Sequence, residues 1–246
     1  MHNKTSFAAA AVLSLAGILA AGTSNASPIV FQTGSGASTS GGPVSASASF
    51  ALSANSLQIT LTDLQVNPNN VGQLLSGLSF SINGLTSGTL TSSSGQFVTV
   101  GSGGAPTLGS TGSTGWVLQS GFDLCDICST GQGLLAPAGL IIGPPASGGN
   151  YNAAGGSIAG NPPHNPFINQ TATFNLNISG LSAGDTVSSV LFRFGTAYGT
   201  QTSLGECTSG CGSTVPEPGA LALFAAGLGA LGIALSRKRR RAQAQR

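Results

Sequence analysis

Four cysteines are the residues whose spacing most directly indicates chemistry in this sequence. They form two close pairs, Cys125 with Cys128 and Cys207 with Cys211, and 78 residues lie between the pairs. Pairs with this spacing are typical of disulfides, of a zinc ion held by four thiolates, or of a redox-active Cys-x-x-Cys motif. Which of the three forms depends on the compartment in which the chain folds.

Only a few other side chains are candidates for chemistry. Asp123 and Asp126 lie beside Cys125 and carry the oxygen ligands that calcium prefers, but no calcium-loop spacing accompanies them. His164 has no acid or nucleophile placed beside it, and the sequence contains no Gly-x-Ser-x-Gly motif. We therefore expect a protein that is not an enzyme and that binds neither a metal nor a cofactor.

The first 26 residues have the composition of a secretory signal peptide. One lysine precedes an apolar run at residues 7–22, and small residues follow at Ser24 and Ala26. This order predicts export and cleavage by signal peptidase between Ala26 and Ser27, with an uncleaved N-terminal anchor as the alternative.

Export favours disulfides over free thiols, because the compartment outside the inner membrane is oxidising. We expect Cys125 to pair with Cys128 and Cys207 with Cys211, since short loops close at low entropic cost. Crossed pairing between the two clusters, a four-thiolate zinc site and a redox-active motif remain as alternatives.

A second apolar run, at residues 219–236, lies near the C-terminus. It contains 18 residues without a charge, and a helix of that length is about 27 Å long, just short of a typical hydrocarbon core. The basic block that follows consists of Arg237, Lys238, Arg239, Arg240 and Arg241. Because such a block stays on the cytoplasmic side, the pattern predicts a transmembrane helix with the preceding chain outside. A buried core helix is the alternative.

The segment Val215, Pro216, Glu217 and Pro218 comes immediately before this run. Its two prolines exclude it from a helix interior and favour an extended conformation. The order of this segment, the apolar run and the basic tail resembles the PEP-CTERM sorting signal of Gram-negative bacteria that make exopolysaccharide. The resemblance covers residues 215–241.

That resemblance implies a partner and a destination. An exosortase, which is a membrane-embedded protease or transpeptidase, would recognise Val215 to Pro218. The protein would then be released or transferred to the cell surface or the extracellular matrix. The expected partners are therefore signal peptidase, the exosortase, transiently the membrane, and as a candidate the exopolysaccharide.

The charge of the chain excludes a further class of partner. Between residues 27 and 215 there are five acids and a single base, Arg193, which gives a net charge of about −4. Nucleic-acid binding requires a basic surface that neutralises phosphates. We therefore expect no nucleic-acid partner.

The segment between the two apolar runs reads as β structure. Apolar and polar residues alternate along four segments, at residues 57–62, 78–82, 174–178 and 190–194. We predict one domain, residues 27–214, that is mainly β and forms an antiparallel β-sandwich of the jelly-roll type. Residues 171–179 and 186–196 are expected to be antiparallel neighbours, and residues 101–165 to form long Gly- and Pro-rich loops.

Three aromatic residues are candidates for a ligand platform. Trp116, Tyr151 and Tyr198 combine a large apolar ring with a polar atom, as sugar-stacking residues do, although burial in the core is the alternative. The preferred function is a non-catalytic structural role in biofilm or exopolysaccharide. The alternatives are a carbohydrate-binding surface module and a secreted hydrolase.

Overall fold

The computed structural model describes residues 27–128, 139–199 and 201–211. Several predicted features lie outside these residues: the signal peptide at 1–26 with Ala26, the sorting motif at 215–218, the helix at 219–236 and the basic tail at 237–241. Within the described ranges, no helix has the length and apolar character needed to cross a membrane.

The described residues form fourteen β-strands and one short 3-10 helix, Val71–Gln73. The strands are β1 Ile29–Thr33, β2 Ser38–Thr39, β3 Gly42–Pro43, β4 Ala46–Ser53, β5 Ser56–Asp63, β6 Leu75–Ile82, β7 Thr89–Val100, β8 Pro106–Gly112, β9 Val117–Gln119, β10 Asp123–Cys125, β11 Ile141–Ile142, β12 Phe167–Asn177, β13 Val187–Phe194 and β14 Thr202–Ser209.

Eight of these strands close into a barrel. The order around it is β12, β5, β4, β1, β14, β13, β6 and β11, and β11 pairs with both β12 and β6. Strands β7 and β8 extend the sheet beyond β12, and β10 and β9 extend it beyond β6. The prediction of a mainly β protein is confirmed, whereas the two-sheet sandwich is not, because the two residues of β11 join the edges that a sandwich would leave open.

The four alternating segments coincide with β5, β6, β12 and β13, and only Ile178 lies one residue beyond its strand. In β5 the buried residues Leu57, Ile59 and Leu61 alternate with residues that are at least partly exposed. The barrel interior is filled by apolar side chains of this kind, among them Phe50 and Phe80, whose ring centroids are 5.2 Å apart. Period-two alternation thus placed the core-facing side chains correctly.

The expected pairing of residues 171–179 with 186–196 is wrong. β12 pairs with β5 and β7 over long registers, so neither of its edges is free for β13, which pairs with β6 and β14. The connection between β12 and β13 instead crosses the end of the barrel. There Leu181 is buried and its carbonyl accepts a hydrogen bond from the backbone N–H of Asn55.

The segment at residues 101–165, expected to be long loops, contains four short strands, β8 to β11. Its remaining part covers a second, smaller core in which Tyr151 and Ile158 pack with Val100 and Phe167. This cluster gives the Gly- and Pro-rich chain after β11 an apolar anchor.

The two ends of the barrel differ. We call the end at which β1 begins and β14 ends the terminal end; the loops at 54–55, 83–88 and 178–186 also lie there. We call the opposite end, where β6 begins and β13 ends, the loop end. The second core lies at the loop end.

Candidate functional site

In the described part of the chain, the side chains of Asp123, Arg193 and Tyr198 come together on the outside of β10, β6 and β13. We call these three residues the Asp123 cluster. Cys125 lies opposite Gly77, and Gly77 lies opposite Arg193. Because Gly77 has no side chain, Arg193 can reach across β6, and its Nη1 atom binds the Oδ1 atom of Asp123. The hydroxyl of Tyr198 donates to the Oδ2 atom of Asp123 at 2.7 Å.

The ion pair of this Asp123 cluster is nearly closed to solvent, whereas Tyr198 is partly exposed. The side chains of Arg193 and Asp123 are 13% and 11% exposed, and the Arg193 guanidinium lies 4.9 Å from the centroid of the Tyr198 ring. The hydrogen bond to Asp123 raises the pKa of Tyr198, because an ionised hydroxyl could no longer donate it. Both oxygens of Asp123 already have partners. The arrangement therefore fits an ion pair that links strands better than a carboxylate that is available as a general base.

Arg193, the single base between residues 27 and 215, pairs with Asp123. Sequence reasoning missed the identity of this partner. The two residues are 70 positions apart in the chain, and no local signal links them.

The structure forms the two local disulfides, Cys125 with Cys128 and Cys207 with Cys211. The first pair is buried and the second is exposed. Strands β6 and β13 lie between β10 and β14 in the sheet, so the pairs are about three strand spacings apart, or roughly 14 Å. Neither crossed pairing nor a four-thiolate zinc site fits this separation.

Asp123, Cys125 and Cys128 offer ligand atoms that all lie within 4.8 Å of one another. Such a group resembles part of a metal site, since thiolates and a carboxylate can bind zinc. In the structure, however, the sulfurs are bonded to each other and Asp123 binds Arg193 and Tyr198. The three residues are therefore engaged in other contacts.

Asp126 lies between the two cysteines of the buried disulfide. Burial raises its pKa from 3.8 to about 7. Among the described residues its Oδ2 atom has no hydrogen-bond partner. Asp126 therefore holds its proton to near neutral pH in the folded protein.

Asp63 is a fully buried acid at the loop end. Its carboxylate accepts hydrogen bonds from the backbone N–H groups of Gln65, Leu75 and Gly143, but desolvation dominates and raises its pKa well above the usual value. These partners belong to the ends of β5, β6 and β11, so Asp63 ties the strands together where the barrel closes. The alternation of Leu57, Ile59 and Leu61 would have placed Asp63 inside, a signal that the sequence analysis did not use.

The predicted aromatic platform is not formed. Trp116 and Tyr151 are 3% and 2% exposed, and their polar atoms donate to the carbonyls of Gly139 and Gly143 at 2.9 Å. Tyr198 alone of the three is exposed, at 45%. Trp116 and Tyr151 belong to two different apolar clusters, so no shared surface is left for stacking on a sugar.

His164 lies in the chain before β12. Its Nδ1 atom is 2.6 Å from the carbonyl oxygen of Ser157, which indicates that the proton is on Nδ1. None of the hydrogen bonds within the described ranges connects His164 to an acid or to a nucleophilic side chain. Its contacts are those of a loop histidine that fastens the backbone.

The comparison with protein families bears on the C-terminal end. Residues 214–240 match the family model of the PEP-CTERM protein-sorting motif. The chain thus carries a sorting signal of this class, which implies export, a membrane-anchored precursor and sorting by an exosortase. No curated protein and no solved structure is significantly similar to the chain.

Proposed function

We propose that this protein is a non-catalytic structural component of the cell surface or of an exopolysaccharide matrix, delivered there by exosortase cleavage near Glu217. The match of residues 214–240 to the sorting motif is the observation that carries the proposal. The signal peptide predicted at residues 1–26 supplies the export that this route needs.

The contacts of three ionisable groups in the described ranges, Asp63, Asp123 and Arg193, support a structural role. Asp123 and Arg193 bind each other, and Asp63 accepts three backbone hydrogen bonds at the barrel closure. General acid–base catalysis requires such groups to face a substrate, whereas these face other parts of the chain.

The outward face of β4, β5, β12 and β7 also suits a hydrated polysaccharide matrix. One row of paired residues across these strands is Ser49, Thr60, Thr173 and Ser94, and the next contains Gln58, Asn175 and Ser92. These side chains carry no charge and offer hydroxyl and amide groups that can exchange hydrogen bonds with sugar hydroxyls. This face favours contact with neutral polysaccharide as the second candidate function.

The experiment that tests the sorting route is intact-mass spectrometry of the protein from membranes and from culture medium. In a strain with its exosortase we expect the extracellular protein to lack the residues after the sorting motif. In an exosortase-deficient strain we expect the C-terminal segment to remain attached and the protein to stay with the membranes.

A matched pair of variants sharpens this test. Glu217→Ala changes the sorting motif and should block processing, whereas Glu206→Ala changes an exposed acid of β14 and should be processed normally. Extracellular protein that keeps its C-terminal segment in the strain with the exosortase would refute the proposal.

A further inference from the structure

The two ends of the described chain leave the barrel side by side. Val30 of β1 pairs with Ser209 of β14, and the hydroxyl of Thr208 donates to the carbonyl of Val30 at 3.2 Å. Beyond β14, Gly210 has a φ of +73°, and a Cβ on it would lie 2.8 Å from the carbonyl oxygen of Pro28. The chain that leads to the C-terminus therefore crosses directly over the chain that comes from the N-terminus.

A disulfide fastens this crossing. Cys207 and Cys211 are bonded around Gly210, and their Cα atoms are 6.1 Å apart. The bond keeps the exit of the chain next to β1 and at the terminal end of the barrel. The described chain therefore both enters and leaves the barrel at this one end.

Chain length limits how far the barrel can turn away from a membrane anchor. Eight Cα–Cα steps connect Cys211 to residue 219, where the predicted helix begins, and eight steps span at most about 29 Å. Strand β14 has eight residues and is roughly 26 Å long. For the loop end to touch the lipid, the linker would have to run back along the barrel and use nearly its full reach.

We propose that the terminal end of the barrel faces the lipid surface in the membrane-anchored precursor, while the loop end and the Asp123 cluster are held away from it. This orientation rests on the proposed function, since it requires the segment at residues 219–236 to anchor the chain. Its consequence is that the exosortase meets the sorting motif beside the loops of the terminal end.

The orientation can be tested on the full chain reconstituted into vesicles. A fluorophore is attached to a single added cysteine, either Ala183→Cys at the terminal end or Ser147→Cys at the loop end; both sites are exposed loop positions. The native cysteines are paired, so only the added thiol reacts. With brominated lipids as quenchers, we expect the probe at residue 183 to lose most of its fluorescence and the probe at residue 147 to keep most of it.

Equal quenching at the two positions, or stronger quenching at residue 147, would overturn the orientation. A flexible insertion of 20 residues between Cys211 and Val215 should reduce the quenching at residue 183, because the barrel can then turn freely; unchanged quenching would also count against the proposal. Flotation of the vesicles separates the two hypotheses. Protein that does not float refutes the membrane anchor, whereas protein that floats with the wrong quenching pattern refutes the orientation alone.

Discussion

The ion pair between Arg193 and Asp123 lies almost out of reach of solvent, and this burial sets its energetics. Bringing both charges out of water is unfavourable, and their attraction together with the Tyr198 hydrogen bond compensates for it. If one partner is removed, the other remains as an uncompensated charge in a poorly solvated place. Arg193 thus stabilises the fold because it neutralises Asp123. Substitutions within the cluster should therefore have non-additive effects on stability.

Replacing Arg193→Ala should therefore lower the free energy of unfolding by about 3–5 kcal/mol. Tyr198→Phe removes one hydrogen bond to a charged group and should lower it by about 1–3 kcal/mol. Denaturant unfolding of both single variants and of the double variant measures these changes. We expect the double variant to be less destabilised than the sum of the two, and strict additivity would contradict a coupled cluster.

Asp126 makes stability depend on pH. In the unfolded chain an aspartate loses its proton near pH 4, whereas folded Asp126 keeps it to about pH 7. Between these values the folded state binds more protons than the unfolded state does. The free energy of unfolding therefore falls as the pH rises from about 4 to 7.

Asp126→Asn should remove this contribution. Asparagine has the shape of the protonated acid and cannot ionise, so at pH 7.5 the variant should be more stable than the wild type, by up to about 4 kcal/mol. At pH 4 the two proteins should have similar melting temperatures. Melting curves across this pH range are the measurement, and equal pH slopes for both proteins would show that Asp126 titrates normally.

The shortest strand of the barrel has the largest topological effect. β11 consists of Ile141 and Ile142, yet it connects β12 to β6 and so closes the sheet. The residue that follows it, Gly143, lies against the backbone of Gln65, and an added Cβ would be 2.1 Å from that carbonyl oxygen. Closure therefore depends on the close approach of two backbones, which a glycine permits.

Gly143→Ala should destabilise the protein by about 1–3 kcal/mol, because the added methyl group forces these backbones apart. The matched control is Gly148→Ala in the same connection, where nothing lies within 4 Å of the added Cβ. The control should change stability by less than about 0.5 kcal/mol. Thermal unfolding compares the two variants, and similar melting temperatures would mean that β11 can shift without loss of stability.

At the scale of the whole described fold, the first and the last strand are paired in the middle of the sheet. β1 and β14 are neighbours in the barrel, so the sheet is complete only when both ends of the folded part are present. The core within the described ranges is formed by that part of the chain alone. The terminal segments should therefore be dispensable for folding.

A chain consisting of residues 27–214 should then fold without the terminal segments and form both disulfides. We expect β-type circular dichroism, a cooperative thermal transition and no flotation with vesicles, in contrast to the full chain. Shortening this chain to residues 34–214 removes β1, and we expect that variant to lose the cooperative transition. A cooperative transition of the shorter chain near the same temperature would contradict the requirement for β1 in the folded barrel.

The sorting segment could be recognised from sequence because the machinery that reads such a signal acts on a short linear stretch. A proline-containing motif, an apolar run and a basic block each act through local composition. The strand positions could also be predicted, since alternation along one strand decides which side chains face the core. This is why β5, β6, β12 and β13 appeared where expected.

Pairing between strands was decided only by the tertiary structure. Whether β12 lies beside β13 depends on competition among all strands for each edge, and no local pattern encodes the result. The same holds for the contact between Arg193 and Asp123, for the burial of Trp116 and Tyr151, and for closure through β11. Alternation along the chain determines the face on which a side chain lies, but its partners come from distant segments that only the folded barrel brings together.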